Sequence, residues 1–482
     1  MFPRVARQIL LPFHEAILGR STFSIWRRLE RQPAPDWEWL HAVQRDGLEK
    51  ILAHAREQIP YWRDRLAGAL SAADLSAILA GVPVLTRAEI GRHREAMRWR
   101  AAPGKVLMHR SGGTTDDNLT FYWGRTRQSW DRAMRYRGLA RHGIFPGDRI
   151  LHIWPRYPGR TRLDRIKQRL RDWRDRLTND EVLDARPLSP ERLDAVLDRC
   201  ASYRPVLLIG YPSWLAALAE RVRAAHPRFR PGGLRLILCT GEVLFAFQRR
   251  LIEETFGVRV AQEYGSQDAG LIAHEEPAGD LRLNAEQMVV EILRDGRPAS
   301  PGELGEVVVT HFYMEVMPFI RYATGDVVRQ PGTKEAGRGG PGLPVFPVPE
   351  GRTSDMLATT DGALCPMRPV VEVLVAESGL RDFSLYQPRQ DRLVVLFVER
   401  ADTEKTLRRL AAEEVLRSFL GKNLQLEWRG GSRFEPFTSG KRRFVCSPVG
   451  MRLVGHDRES GLARARAWPQ RLEKEPAVNG TV

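Results

Sequence analysis

The sequence predicts an α/β protein, with a large N-terminal domain of mixed sheets and crossover helices followed by a small C-terminal α+β domain. Three observations carry this. Between Arg149 and Phe256 short apolar runs alternate with helical stretches, the pattern of a parallel sheet with crossover helices. At 482 residues the chain exceeds one ordinary domain, so two cores are the default. Beyond Gly351 the order strand, helix, strand returns on a smaller scale.

Taken in order, residues 1–80 read as helices, with Leu48, Ile51, Leu52 and Ala55 at helical spacing. Thr86 caps the helix that follows. The large domain is expected over 81–350. Its apolar runs at 149–154, 206–209 and 234–239 read as buried strands, and 213–225 and 245–256 as helices. Short strands at 288–293 and 306–312 are joined through a turn containing Asp295-Gly296 and Pro301-Gly302. The Gly/Pro-rich stretch 330–349 reads as a surface loop. Gly337, Gly339 and Gly342 there fit GxGxxG, but no strand precedes them and no helix follows, so a dinucleotide site is excluded. The small domain, 351–455, reads strand 393–398, helix 403–420, strand 424–428, and the charged tail 456–482 is expected to be poorly ordered.

Hydrophobic content of 43% and charged content of 28% suit a globular protein and exclude disorder as the main state. Cys200, Cys239, Cys365 and Cys446 lie far apart with no CxxC pair, which argues against a disulfide framework or a thiolate metal site and fits a reducing cytoplasm. The first apolar stretch is broken by Pro12, His14 and Glu15, and 206–219 is short and contains Pro212, so neither a leader nor a membrane span is expected. The net charge of +16 favours phosphate-bearing partners: nucleotides, anionic lipid or nucleic acid. No zinc-finger spacing or aromatic RNA-binding pattern is present, so nucleic acid is not expected. GxSxG and HExxH are also absent.

The segment His109 to Asn118 is rich in small and hydroxyl residues after an expected strand. Such a loop offers backbone N–H and side-chain O–H donors to phosphate oxygens without bulk in the way, and a plain polar turn is an equal reading of it alone. Its order relative to four later segments resembles the acyl-adenylate-forming superfamily, in particular the phenylacetate–CoA ligase branch and its relatives encoded with capsule biosynthesis. Ser111 to Thr115 match that family's phosphate loop, and Tyr264-Gly265-Ser266-Gln267-Asp268 its Tyr-Gly-x-x-Glu motif. Thr324-Gly325-Asp326 match its Thr-Gly-Asp motif, Gly351-Arg352-Thr353-Ser354-Asp355 its hinge, and Ser439-Gly440-Lys441 its C-terminal lysine motif. The resemblance spans 44–449.

The resemblance implies ATP, Mg²⁺ and coenzyme A as cofactors and a small-molecule carboxylic acid as substrate. It places Ser111, Gly113, Thr114 and Thr115 around the phosphates, and Gly241, Glu242, Tyr264, Gly265 and Ser266 around adenine. Asp268 would be the Mg²⁺-associated carboxylate, since a hard cation wants oxygen ligands. Asp326 would accept from the ribose hydroxyls, with Arg352 nearby. Lys441, delivered by the small domain, would stabilise charge on the substrate carboxylate and α-phosphate. Tyr211 and Trp214 are candidates to line an acyl pocket, with core packing the alternative.

Several positions depart from the family pattern. Asp116 stands in place of Gly, and a carboxylate ~4 Å from a phosphate charge is repelled by roughly 4 kcal/mol at an effective dielectric of about 20. Asn118 replaces Pro, Asp268 replaces Glu, and Ser354 replaces the first Asp of the hinge. Glu276 and Arg282 stand where some relatives carry metal-site Cys and His, so no structural zinc is expected. The acceptor is CoA or, on the capsule resemblance, an amine or hydroxyl of the envelope. A homologue that binds nucleotide without turnover is the third reading.

One segment stands outside these motifs. Leu163, Ile166, Leu170, Trp173 and Leu177 make a single stripe on an expected helix amid arginines. The ordinary expectation is that the stripe packs on the large domain. The alternative is that residues 162–177 dock on an anionic membrane surface, giving a cytoplasmic enzyme peripheral to the inner face.

Overall fold

The structure, a computed structural model, describes residues 3–32, 36–66, 75–110, 119–156, 161–332, 343–380, 382–399, 408–434, 440–453 and 466–473. Its largest sheet has seven strands, in the order Asp180–Leu183, Ile150–Ile153, Leu207–Gly210, Leu236–Thr240, Arg259–Ser266, Gly270–Glu275 and Leu281–Leu283. The first five are parallel and the last two antiparallel. Leu207–Gly210 is buried throughout, as a strand covered on both faces requires. The crossover helix Pro212–Ala225 buries Trp214, Leu215, Leu218, Ala219 and Val222 against this sheet. Each large side chain among them contributes about 1.5–3 kcal/mol by leaving water.

A second, antiparallel sheet runs Arg297–Pro298, Met288–Arg294, Leu304–His311, Tyr322–Arg329, Gly351–Arg352. Asp295 and Gly296 both adopt positive φ (51° and 80°), the geometry of a tight two-residue turn. That turn joins Met288–Arg294 to the two-residue edge strand Arg297–Pro298, which interrupts the connection that the sequence predicts as a single turn, while Met288–Arg294 pairs directly with Leu304–His311. The helix Trp37–Gln58 lies against this sheet: Leu48, Ile51, Leu52 and Ala55 share one core with Val307, Val309 and Tyr322. Thr86 caps Arg87–His93 in a reciprocal box with Glu89.

The C-terminal sheet runs Gln425–Gly431, Arg392–Val398, Phe383–Arg389, Val445–Cys446, packed beneath the helices Met367–Ser378 and Arg409–Leu420. Residues 403–407 of the expected helix, and Gly337, Gly339 and Gly342 of the loop, lie outside the described residues. Within the tail expected to be poorly ordered, Trp468 is buried and its Nε1 donates to Ser384 Oγ at 2.9 Å, while Leu472–Glu473 pairs with Arg433–Phe434. The four cysteines are buried thiols, and desolvation pushes Cys200 up to about 12.

The helix Arg162–Leu177 forms where expected, but its stripe does not pack on the large domain. No residue of the helix is buried. Leu163, Leu170 and Trp173 are 65%, 62% and 64% exposed. The polar face turns inward instead: Asp172 accepts from Gln168 at 2.9 Å and pairs with Arg156.

Candidate active site

The cleft is assembled from the carboxyl ends of the parallel strands, the second sheet and one loop of the small domain. At the end of Leu236–Thr240 the chain turns through Gly241, whose φ is +81°. A Cβ there would lie 2.8 Å from the Tyr211 ring, so the positive φ and the close ring together call for glycine, with Lys441 Nζ in ordinary contact distance at 3.7 Å. Glu242 Oε2 accepts from Ser213 N at 3.1 Å, and its Oε1 accepts from Ser213 Oγ at 3.1 Å and Arg442 N at 2.8 Å. One carboxylate thus ties the start of a large-domain helix to the residue after Lys441. Burial raises its pKa against those donors.

Lys441 Nζ sits 5.5 Å from the Tyr211 ring centroid. Burial lowers its pKa, while Glu242, Asp326 and Asp268 act to raise it and Arg352 to lower it. The loop is positioned by Trp214, 1% exposed, whose Nε1 donates to the Gly440 carbonyl at 2.7 Å. Trp214 therefore seats the lysine loop, and Tyr211 packs on it edge-on with centroids 5.4 Å apart. On the far side Arg443 Nε donates to Asp355 Oδ1 at 2.9 Å and its Nη2 to the Ser354 carbonyl at 2.6 Å. Ser354 itself donates to Asp355 at 3.2 Å, so the serine in the hinge is held rather than idle.

Opposite the lysine, Asp326 and Arg352 face each other across paired strands, with Nε 3.2 Å from Oδ1. Tyr264 Oη donates to Asp326 Oδ2 at 3.0 Å, and its ring stacks on Phe346 (centroids 5.1 Å, planes 13° apart). Burial raises the pKa of Asp326, with Arg352 pulling the other way. Gly265 is locked by contact, since a Cβ there would meet the Gly270 carbonyl at 2.4 Å.

Asp268 is 3% exposed. Its Oδ2 accepts from Arg87 Nη1 at 2.8 Å and Tyr322 Oη at 2.7 Å, and its Oδ1 accepts from Ser266 Oγ. Burial alone would raise its pKa, but the Arg87 guanidinium and the two hydroxyls outweigh that and lower it. A guanidinium already stands where a cation would sit, and the described residues hold no cluster of three His, Cys, Asp or Glu fit for a metal. These residues do not fit a resident Mg²⁺. A nucleotide fits them better: an aromatic ring beside a carboxylate acceptor, with Lys441 and Arg352 at hand for phosphate.

Ser111, Gly113, Thr114, Thr115, Asp116 and Asn118 lie outside the described residues, between the paired strands Leu107–Arg110 and Thr120–Trp123. Glu276 and Arg282 pair with one another at 3.4 Å. Arg87 and Phe346 escaped the sequence reading. Arg87 follows a capping threonine and Phe346 sits in a Gly/Pro-rich stretch, and neither setting carries a chemical signal.

No family model matches this sequence. The chain is 21% identical over 375 residues to Protein CapK of Staphylococcus aureus, covering 76% of this chain and 80% of that protein. Among solved structures, 2-hydroxyisobutyryl-CoA ligase in the postadenylation state with 2-HIB-AMP superposes with a TM-score of 0.67 at 18% identity, over 91% of this chain and 94% of that one. The same ligase with 2-HIB-AMP and CoA in the thioesterification state gives 0.52 at 19% identity, over 88% and 93%. Anthranilate CoA ligase AuaEII with anthranoyl-AMP gives 0.51 at 14%, over 74% and 67%. The fold is that of the adenylate-forming ligases.

Proposed function

We propose that this protein is a cytoplasmic AMP-forming ligase that converts a carboxylic acid and ATP into an acyl-adenylate and then passes the acyl group to the thiol of coenzyme A, in the manner of the phenylacetate–CoA ligases. The observation that carries the reading is Lys441, brought by the small domain over Tyr211 and into electrostatic reach of Asp326, Asp268 and Arg352. In the first step a substrate carboxylate oxygen bonds to the α-phosphorus as the bond to the bridging oxygen breaks, and pyrophosphate leaves. The ammonium of Lys441 offsets negative charge gathering on the carboxylate and α-phosphate. Tyr264 flanks adenine, Asp326 accepts from the ribose hydroxyls and Arg352 orients that carboxylate. Residues 111–115 are assigned to the phosphates. Mg²⁺ would enter as the counter-ion of ATP, and the roles given to these side chains do not depend on it.

Pyrophosphate–ATP exchange across a panel of aryl and alkyl acids tests the reading and identifies the acid. Exchange that remains acid-independent, or absent throughout the panel, would refute it. A second reading keeps adenylation and changes the acceptor to an amine or hydroxyl of capsule or envelope material. The exposed apolar stripe of Arg162–Leu177, flanked by arginines, favours it, by suiting the enzyme to work at a membrane. The arginine held against Asp268 favours a nucleotide-binding protein without turnover, which would bind ATP yet give no exchange.

A further inference from the structure

Arg162–Leu177 is turned the opposite way from a core helix, and the N-terminal helical segment beside it shares the property. Ile9, Phe13 and Ile17, spaced four apart, are 61%, 66% and 67% exposed. Eight of the fifteen large apolar side chains left exposed among the described residues lie on these two segments. Scattered exposure is normal, but this concentration is not.

The two segments meet on one turn. A Cβ on Gly147 would lie 2.7 Å from the Pro3 carbonyl oxygen, and Arg7 lies over the Phe145 ring at 4.8 Å. From the other side Asn179, two residues beyond Arg162–Leu177, donates to the Gly147 carbonyl at 2.8 Å. Arg174 is near enough to His14 that, after burial, it is the next largest cause lowering the imidazole pKa.

The charges are sorted around the stripe. At about 100° per residue, Arg165, Arg169 and Arg176 fall on one flank and Lys167 and Arg171 on the other. Among the described residues none of these five makes an ion pair, whereas Asp164 accepts from the backbone N–H of the capping Thr161 and Asp172 and Asp175 are bound to arginines. An apolar ridge with unpaired cations on both sides suits an extended, uniformly anionic surface with an apolar layer beneath it.

We propose that Arg162–Leu177 and the segment 3–17 together form a docking surface for an anionic lipid bilayer, with the apolar side chains sunk below the headgroups and the arginines among them. No helix among the described residues is long and apolar enough to cross a membrane, so the attachment is in-plane. This inference stands apart from the chemistry of the cleft.

The test is co-sedimentation of the full chain with vesicles of phosphatidylcholine alone and of an equimolar phosphatidylcholine–phosphatidylglycerol mixture, at low and at physiological salt. The wild type is expected to sediment with the anionic vesicles only, and less as salt rises. Leu170→Gln with Trp173→Gln, Phe13→Gln with Ile17→Gln, and Arg165→Gln with Arg169→Gln and Arg176→Gln should each weaken binding about tenfold or more. These side chains are exposed, so circular dichroism should stay unchanged. Failure of the wild type to bind anionic vesicles at low salt overturns the proposal. So does an apolar double variant that binds like wild type. A wild-type dimer that the apolar variant dissolves would assign the stripe to a second copy of the chain, and overturns it as well.

Discussion

Two helices flank the same parallel sheet, carry apolar stripes of the same period, and meet opposite fates. Pro212–Ala225 follows the strand Leu207–Gly210 and buries Trp214, Leu215, Leu218 and Val222. Arg162–Leu177 precedes the edge strand Asp180–Leu183 and buries nothing. The difference lies in what stands opposite. The first helix covers a fully buried strand and carries the indole on which the lysine loop rests. The second lies beside the sheet's edge strand, whose residues are all half-buried, and meets the body of the protein through Asp172, which pairs with Arg156. Periodicity states that a helix has a preferred face. It does not state what that face meets.

The largest effect expected from breaking this contrast is at Trp214. Trp214→Ala empties a buried site and removes the bond to Gly440, at a cost of about 3–5 kcal/mol. Chemical denaturation should show this, together with loss of adenylate formation. Trp173→Ala, on the other helix, should stay within about 0.5 kcal/mol of wild type. Equal losses at the two tryptophans would erase the distinction drawn between the helices.

Lys441→Ala separates the loop's charge from its seating. Adenylate formation should fall about 10²–10³-fold while ATP affinity changes only a few-fold, because the charge acts mainly in the transition state. Pyrophosphate exchange and calorimetric ATP titration measure the two, and wild-type exchange would remove Lys441 from the chemistry. The pH profile adds a sign. The ammonium is the active form and burial lowers its pKa from 10.5, so activity should fall as pH rises through a value below the ordinary lysine range. An alkaline limb at or above that ordinary value would place the amine in water.

Gly440→Ala probes the same seat more gently. Gly440 has φ +74°, and a Cβ would lie 2.4 Å from Trp214 Cζ2. Strain and displacement of about 1–3 kcal/mol are expected, read as slower exchange with a smaller loss of stability than Trp214→Ala. The smallest effect belongs to Leu170→Gln with Trp173→Gln, within about 0.5 kcal/mol per site and without change in exchange of a soluble acid. A large loss of stability there would mean that the stripe is covered after all.

Three of the five parallel strands were legible because burial on both faces leaves unbroken apolar runs such as Leu207-Leu208-Ile209, whereas Asp180–Leu183, half-buried throughout, and Arg259–Ser266, with polar residues among its apolar ones, carry no such run. Phe383–Arg389 was not legible, since Ser384, Gln387 and Pro388 interrupt its apolar residues, although Ser384 and Gln387 are buried and bonded in the structure. The motif residues Tyr264, Asp326, Arg352 and Lys441 were found by their order along the chain, and the fold brings them to one cleft. Asp268 was found too, but its partner Arg87 lies 181 positions away and no local pattern links them.

By itself the sequence determined the strand-and-helix alternation, the helix cap at Thr86 and the turn at Asp295-Gly296, because each follows from local sterics, hydrogen bonding or solvation. Tertiary structure alone decided that Trp214 seats the lysine loop, that an arginine rather than an open site meets Asp268, and that one amphipathic stripe faces water while its counterpart is buried. Those outcomes depend on groups far apart in the chain sharing one volume, and an ion pair or a buried face has no existence until both sides arrive.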